Sequence, residues 1–264
     1  MRYSRGKHNY CIDCSVVVLT ILTLNLHKGF SHSGRRFVLR ELREAIHAIS
    51  ADIVCLQEVL GEHEGHAGRF HDWPNVSQYE FLADTIWRDY AYGKNAVYPR
   101  GHHGNALLSK YPILEFENRD VSAAGAEGRG LLYARIGVPH GNRELHAICV
   151  HLGLAEKHRA EQLAKLADII NRELPADAAV IVAGDFNDWR SRANGILAEA
   201  AGLREAFVDA RGRSARTYPA RWPLIRLDRI YTRNLEVLER RVLSRRPWSH
   251  LSDHAALVAK LSFA

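Results

Sequence analysis

A chain of 264 residues with 47% hydrophobic content is long enough to close a large core, and 8 Phe, 10 Tyr and 5 Trp exclude a disordered polymer. The formal charge of +6, from 36 Lys and Arg against 30 Asp and Glu, is a mild basic bias. It suits a phosphate-bearing ligand without choosing among DNA, a lipid headgroup and a small phosphoester, and the basic residues are scattered rather than gathered into a nucleic-acid-binding tail.

The chain opens on a positive segment, MRYSRGKHNY, followed by the apolar SVVVLTILTLNL from Ser15. That run is too short and too β-branched to span a membrane, and no small-residue cleavage site follows it. Val16–Asn25 therefore reads as a first core strand, and no integral membrane segment is expected. Cys11 and Cys14 form a lone CxxC without a second pair and read as incidental. Cys55 and Cys149 sit in apolar runs and read as small buried hydrophobes. A reducing, cytoplasmic setting follows, with peripheral association at the inner membrane as its variant.

Further along, Gly34–Ser50 places Leu39, Leu42, Ile46 and Ile49 on one helix face. Asp52–Gln57 is a near-continuous apolar run, as a strand buried on both faces requires. Ser77–Arg88 suggests a second helix. Short strands are expected at Ala91–Asn95, Asn105–Leu108, Leu131–Gly137 and Leu145–His151. Ala155–Glu173 is the clearest helix, with Leu163, Leu166, Ala167 and Ile170 at helical spacing. Strands follow at Ala179–Ala183, Leu227–Tyr231, Leu235–Val242 and His254–Lys260. So many apolar strands with few crossovers argue against a doubly wound sheet or a TIM barrel, and for two packed sheets with helices outside.

The strand ends carry the chemistry. The first finishes in Asn25, the second in Gln57-Glu58, the Leu145 strand in His151, and Ala179–Ala183 runs into Gly184-Asp185-Phe186-Asn187-Asp188. Ser252-Asp253-His254 introduces the last strand. Each has an ordinary alternative: Asn25 as a turn residue, Glu58 as a loop start, Asp185 and Asn187 as an Asx-turn, Asp253 as a strand-entry turn. Their shared composition of carboxylate, amide and imidazole is what a Mg²⁺-dependent phosphoester hydrolase needs. Alternation places Asp185 and Asn187 on one side with Phe186 turned into packing. Asp228 is a carboxylate available to orient His254.

At these residues the sequence resembles the endonuclease/exonuclease/phosphatase family. The matching stretches, in the family's order, are LTLNLHKG, DIVCLQEV, HGNALLSKYPI, CVHLGL, VAGDFND, LDRIY and LSDHAAL, from Leu22 to Leu257. The resemblance implies a deoxyribonuclease-like, four-layer α/β sandwich of two packed mixed sheets flanked by helices. It makes residues 15–264 one catalytic domain behind a 1–14 extension. It implies Mg²⁺, with Mn²⁺ as a substitute, on Glu58 with Asn25 and Asp253. It assigns Asp185 to the attacking water, Asn187, His151 and His254 to the phosphate, and Asp228 to His254.

Arg129, His27 and His103 are expected to bind substrate, Arg129 from the turn before a strand. The abasic-site endonucleases of this family have Asp where His27 stands and Tyr where His151 stands, which weakens a DNA-repair reading. The wording NLHKGF, QEVLGEH and HLGLAEKHR is similar to small bacterial members, some associated by name with cardiolipin metabolism. The expected activity is therefore a phosphodiesterase on a small or lipid-like substrate. A nuclease on DNA or RNA and a phosphomonoesterase are the alternatives. Partners follow from this: a phosphoester substrate, with a phospholipid surface or nucleic acid as its source, and a monomeric chain. The long loop Gly61–Val76 is expected to form one rim of the cleft, with Trp73 and Trp189 as lining candidates. His63, His66, His102 and His103 invite a zinc reading that the spacing does not support.

Overall fold

The computed structural model describes residues 17–66, 68–139 and 143–263, so Cys11 and Cys14 and the 1–14 extension lie outside the described residues. Two six-stranded mixed sheets pack face to face. The first has the order β11-β12-β1-β2-β4-β3, from Leu235–Leu243, Ala256–Phe263, Val18–Asn25, Ile53–His63, Gly101–Ser109 and Asp89–Tyr98. The second has the order β5-β6-β7-β8-β10-β9, from Ile113–Asp120, Gly130–Val138, Arg143–His151, Ala179–Asp185, Asp228–Arg233 and Arg204–Glu205.

Each sheet contains one parallel pair, β1 with β2 and β7 with β8, and the intervening chain of each forms a helix, α1 (Leu39–Ile49) and α3 (Glu156–Glu173). A parallel pair needs such a crossover. Its consequence is that both strands of each pair finish at the same edge. Asn25 is in register with Gln57, and His151 with Asp185.

Alternation along the strands divides the core. Leu19, Ile21, Ile53, Cys55, Cys149, Ile181 and Ile230 face the space between the sheets. Leu22, Leu24, Val54 and Leu56 point the other way, under α1 and the short α2 (Gln78–Ala83), with Leu42, Ile46 and Trp87. Ile148, Val150, Val180 and Val182 pack beneath α3 and α4 (Arg192–Ala201), against Leu163, Leu166, Ile170 and Leu197. Burial on both faces explains the unbroken apolar runs. The fifth helix, Trp248–Leu251, adds Trp248 and Leu251 to the α1 side.

The helix expected from Gly34 begins at Leu39, because Phe30 and Phe37 pair as an isolated bridge and their rings meet edge-on at 5.5 Å. The helix expected to reach Arg88 stops at Ala83. Beyond it Trp87 is buried and donates its indole N–H to Ala51 O at 2.9 Å. The strand expected from His254 starts at Ala256. The loop expected from Gly61 begins as strand, since β2 continues to His63 opposite Gly101. Among the described residues no helix is long and apolar enough to cross a membrane.

Candidate active site

The two parallel pairs bring their ends together at one edge of the sandwich. From the first sheet come Asn25, closing β1, and Glu58, within β2 at a register shift between Leu56 and Val59. Glu58 has φ 52°, a left-handed conformation uncommon for glutamate, which turns its carboxylate away from the regular pleat. From the second sheet come His151, closing β7, Asp185, closing β8, and Asp228, opening β10 directly opposite Asp185.

Asn25 joins the halves. Its Nδ2 donates to Glu58 Oε1 at 3.3 Å and to Asp185 Oδ2 at 3.2 Å, while its Oδ1 accepts the backbone N–H of His27 at 3.0 Å. Ser252 Oγ donates to Asn25 O at 2.6 Å and accepts the N–H of His254 at 3.2 Å, so the β12 entry is fastened to the end of β1.

Asp185 is 1% exposed and sits between two imidazoles, with His151 Nε2 at 3.6 Å and His254 Nε2 at 3.8 Å. The other nitrogen of His254 bonds Asp228 Oδ2 at 2.9 Å. Asp228 Oδ1 is buried without a partner. The N–H of Asn187 bonds Asp185 Oδ1 at 2.9 Å, and Asn187 has φ 50°. The side-by-side placement of Asp185 and Asn187 thus comes from an Asx-type turn at the end of β8, not from strand alternation. Phe186 is turned into the core, as alternation predicts. Gly184 is needed here: its φ is +148°, and a Cβ would lie 2.0 Å from Val150 O.

These contacts set the charges. Burial opposes the charge on His254, yet Asp228 and Asp185 carry its pKa up to about 10. Burial, with Arg129 beside it, presses His151 down to about 3, so that ring is neutral. Burial lifts Asp185 to about 6, with His254 opposing and Asp228 adding to the rise. Burial would also raise Glu58, but His151, Lys28 and the Asn25 hydrogen bond outweigh it and hold the carboxylate at about 2. Glu58 is thus held as an anion, His151 as a neutral imidazole and His254 as an imidazolium, while Asp185 titrates at about 6.

Among the described residues, Asp185, Asp228 and His254 form a group whose ligand atoms lie within 4.8 Å of one another and could hold a metal ion. Glu58 offers a further carboxylate beside them, whereas Asn25, expected as a metal ligand, turns its Nδ2 toward Glu58 and Asp185 and its Oδ1 toward the His27 N–H. The unpartnered Asp228 Oδ1 fits a site that receives a further electropositive group. Asp253 lines the same cleft, its Oδ1 3.8 Å from His27 Nδ1.

Arg129 lines the cleft and is buried, its Nη2 2.8 Å from Glu127 Oε2. His103 is also buried and holds the other oxygen of Glu127 at 3.3 Å, behind Arg129 rather than in the cleft lining. His27 lines an adjoining hollow of about 450 Å³ with Lys28, Arg35, His66 and Arg69. Lys28 Nζ lies 3.5 Å from Glu58 Oε2, which ties that hollow to the site. Trp189 lines the main cleft, whereas Trp73 stacks on Phe37 at 4.7 Å. The His63 and His66 rings stack face to face at 3.4 Å, a geometry that directs their nitrogens past rather than toward a shared ion.

The cleft measures about 740 Å³. Sequence reasoning missed part of its lining: Glu127, Leu154, Leu224, Ile225, Arg226, and Tyr218, whose ring lies 5.0 Å from that of His254. Glu127 was signalled by its position two residues before Arg129. For Tyr218, in a turn-rich stretch, no signal was available.

The model of the endonuclease/exonuclease/phosphatase family matches residues 22–254. The chain is similar to the YbhP protein of Escherichia coli (strain K12), 58% identical over 241 residues, covering 91% of this chain and 95% of that one. A solved endonuclease/exonuclease/phosphatase structure from Beutenbergia cavernae superposes with a TM-score of 0.75 at 18% identity, over 94% of this chain and 72% of the other. The human Nocturnin catalytic domain gives a TM-score of 0.71 at 21% identity, over 94% of each chain.

Proposed function

The chain belongs to the endonuclease/exonuclease/phosphatase family, and we propose that within it this phosphoester hydrolase is a divalent-metal-dependent phosphodiesterase of a small or lipid-like substrate. The observation that carries the substrate class is the polarity of the walls. Loops of the second sheet contribute Leu154, Trp189, Leu224 and Ile225 to the cleft. Loops of the first sheet contribute His27, Lys28, Arg35, His66 and Arg69 to the adjoining hollow, which Phe30 and Phe70 also line. The ionisable groups lie at the junction. An amphiphilic diester, with an apolar substituent on one side of phosphorus and a polar or anionic one on the other, matches both walls. This agrees with the resemblance to members associated with phospholipid metabolism.

In this reading Glu58, with Asp253 on the same cleft, would hold Mg²⁺ or Mn²⁺, and Asn25 orients Glu58 through its Nδ2. Asp185, Asp228 and His254 are assigned to proton handling instead, His254 Nδ1 being bonded to Asp228 Oδ2 at 2.9 Å. The cation's contribution is to neutralise charge on the phosphoryl and leaving oxygens. Asp185 orients the attacking water and takes its proton, a role its pKa of about 6 suits near neutral pH. The water oxygen forms the new bond to phosphorus as the ester oxygen departs in line. Neutral His151, cationic His254 and the Asn187 amide donate to the non-bridging oxygens as their charge builds. Asp228 holds the His254 ring and its proton in place. Arg129, which lines the cleft and is held by Glu127, is assigned to the same phosphate.

The test compares kcat/KM on a phospholipid or glycerophosphodiester with nicking of supercoiled plasmid at matched salt. The diester is expected to be the better substrate. Plasmid nicking faster by about tenfold, falling steeply as salt rises, would reject this reading in favour of a nuclease.

A further inference from the structure

The apolar wall does not end inside the cleft. The segment 217–227, leading into β10, folds back on itself: Ile225 N–H donates to Tyr218 O at 2.8 Å, and Tyr218 N–H to Ile225 O at 3.1 Å. This hairpin is fastened to the catalytic segment, since Ala220 N–H donates to Asp253 O at 2.6 Å and Ala255 N–H to Thr217 O at 2.8 Å. Its outer side carries Trp222 at 71% exposure and Leu224 at 64%, and Leu154 on the next loop is 68% exposed. Trp189 stands beside them, with the Arg159 guanidinium 4.6 Å over its ring. Large apolar side chains gathered at such exposure mark a surface that something covers.

The charge on the same segment says what covers it. From 211 to 226 the chain carries Arg211, Arg213, Arg216, Arg221 and Arg226 and no Asp or Glu. Among the described residues, only Arg213 of these is ion-paired, to Asp209. Arg216, Arg213 and Arg229 lie near enough to Arg226 to add to the effect of burial in disfavouring its charge. Scattered in sequence, these cations are concentrated by the fold beside the apolar residues. A polynucleotide would use the arginines and the two indoles, but has no use for exposed Leu154, Leu224 and Ile225, which offer no stacking face. A bilayer of anionic lipid uses all three groups: cations for headgroups, indoles for the interface, aliphatic tips for the acyl boundary.

We propose that hairpin 217–227, with Leu154 and Trp189, is a docking face that seats the cleft mouth against an anionic phospholipid bilayer. The inference rests on the phosphodiesterase reading for what the bilayer delivers to the cleft, while docking itself is measured without turnover.

The test is flotation of the full chain with vesicles of phosphatidylcholine alone or mixed with phosphatidylglycerol, for wild type, Trp222→Ala and Arg221→Gln. Neither residue lines the cleft. Hydrolysis of soluble bis-p-nitrophenyl phosphate in the same samples reports an intact site. Wild type is expected to float with the anionic vesicles only. Partitioning should fall about tenfold in Trp222→Ala, as for one large apolar side chain left unburied. It should fall about fivefold in Arg221→Gln, the worth of one basic residue at an anionic surface. Soluble hydrolysis should hold in both. No flotation of wild type, or flotation that neither substitution weakens, overturns the proposal. So does tighter binding to a single-stranded oligonucleotide than to the anionic vesicles at equal salt, weakened by Trp222→Ala. Failure of the phosphodiesterase reading looks different: flotation persists and no diester is hydrolysed, which leaves the docking face standing.

Discussion

Asp228 Oδ2 and His254 Nδ1 meet at 2.9 Å across the two sheets, Asp228 opening β10 of the second and His254 standing just ahead of β12 of the first. Both are buried, so the pair is shielded from the solvent that weakens surface ion pairs. It sets the proton on the ring that faces Asp185 and helps fix how the sheets sit together at the site.

Asp228→Asn should therefore lower kcat/KM by about 10–100-fold without unfolding the chain. It should also change the pH dependence of stability. His254 is raised to about 10 in the fold from an ordinary 6.5, the aspartates overcoming the effect of burial. Its contribution is fully present below pH 6.5 and lost as pH rises through 10. Wild-type Tm should decline across that window, and the variant should decline less. Identical Tm slopes and unchanged kcat/KM would reject the pairing.

Removal of divalent cations with EDTA should abolish turnover, and Mg²⁺ or Mn²⁺ should restore it. Glu58→Gln should raise the Mg²⁺ concentration for half-maximal activity by about 10–100-fold, because the anion that burial alone would not tolerate is gone. Full turnover by a demetallated sample in excess EDTA would defeat the metal assignment.

The acid limb of kcat/KM should follow Asp185. As the carboxylate must be ionised to accept a proton from water, activity should rise with pH to an inflection at or below about 6. A cation held at Glu58 favours the anion and moves that inflection down, so lowering the Mg²⁺ concentration should move it up. An inflection indifferent to metal concentration would place the base elsewhere.

Gly184→Ala should destabilise the fold by at least about 2 kcal/mol in urea unfolding, since the added Cβ meets Val150 O at 2.0 Å, a backbone atom that cannot swing aside. A midpoint equal to wild type would show that β7 and β8 separate locally at little cost.

The strands that build the site were legible because they are buried on both faces: the runs around Leu22, Val54, Ile148 and Ile181 are mainly apolar, with Thr20, Thr23 and His146 interrupting them before the sheet edge, where Asn25, Glu58, His151 and Asp185 stand. Edge strand β5 was not, because Leu114 and Phe116 are exposed and Glu115 and Glu117 intervene. The start of α1 was hidden because Phe37, inside the expected helix Gly34–Ser50, instead pairs with Phe30 ahead of it. Lys28 beside Glu58 and the arginines of the 217–227 hairpin escaped notice for a common reason. Their significance lies in what the fold places next to them, and a linear reading of charge saw only scattered cations.

The hydrogen bond from Asn25 to Asp185 spans the two sheets at the proposed site. It makes the active site a gauge of how the sheets slide on one another. Ile181 packs in the layer between the sheets, whereas Ile170 lies on α3 and packs against the outer face of the second sheet. Trimming either to Val should cost a similar 0.5–1.5 kcal/mol, roughly, of stability. Only the inter-sheet change loosens the gauge, so Ile181→Val should lose turnover at temperatures where Ile170→Val, equally weakened as a fold, still works at the wild-type rate.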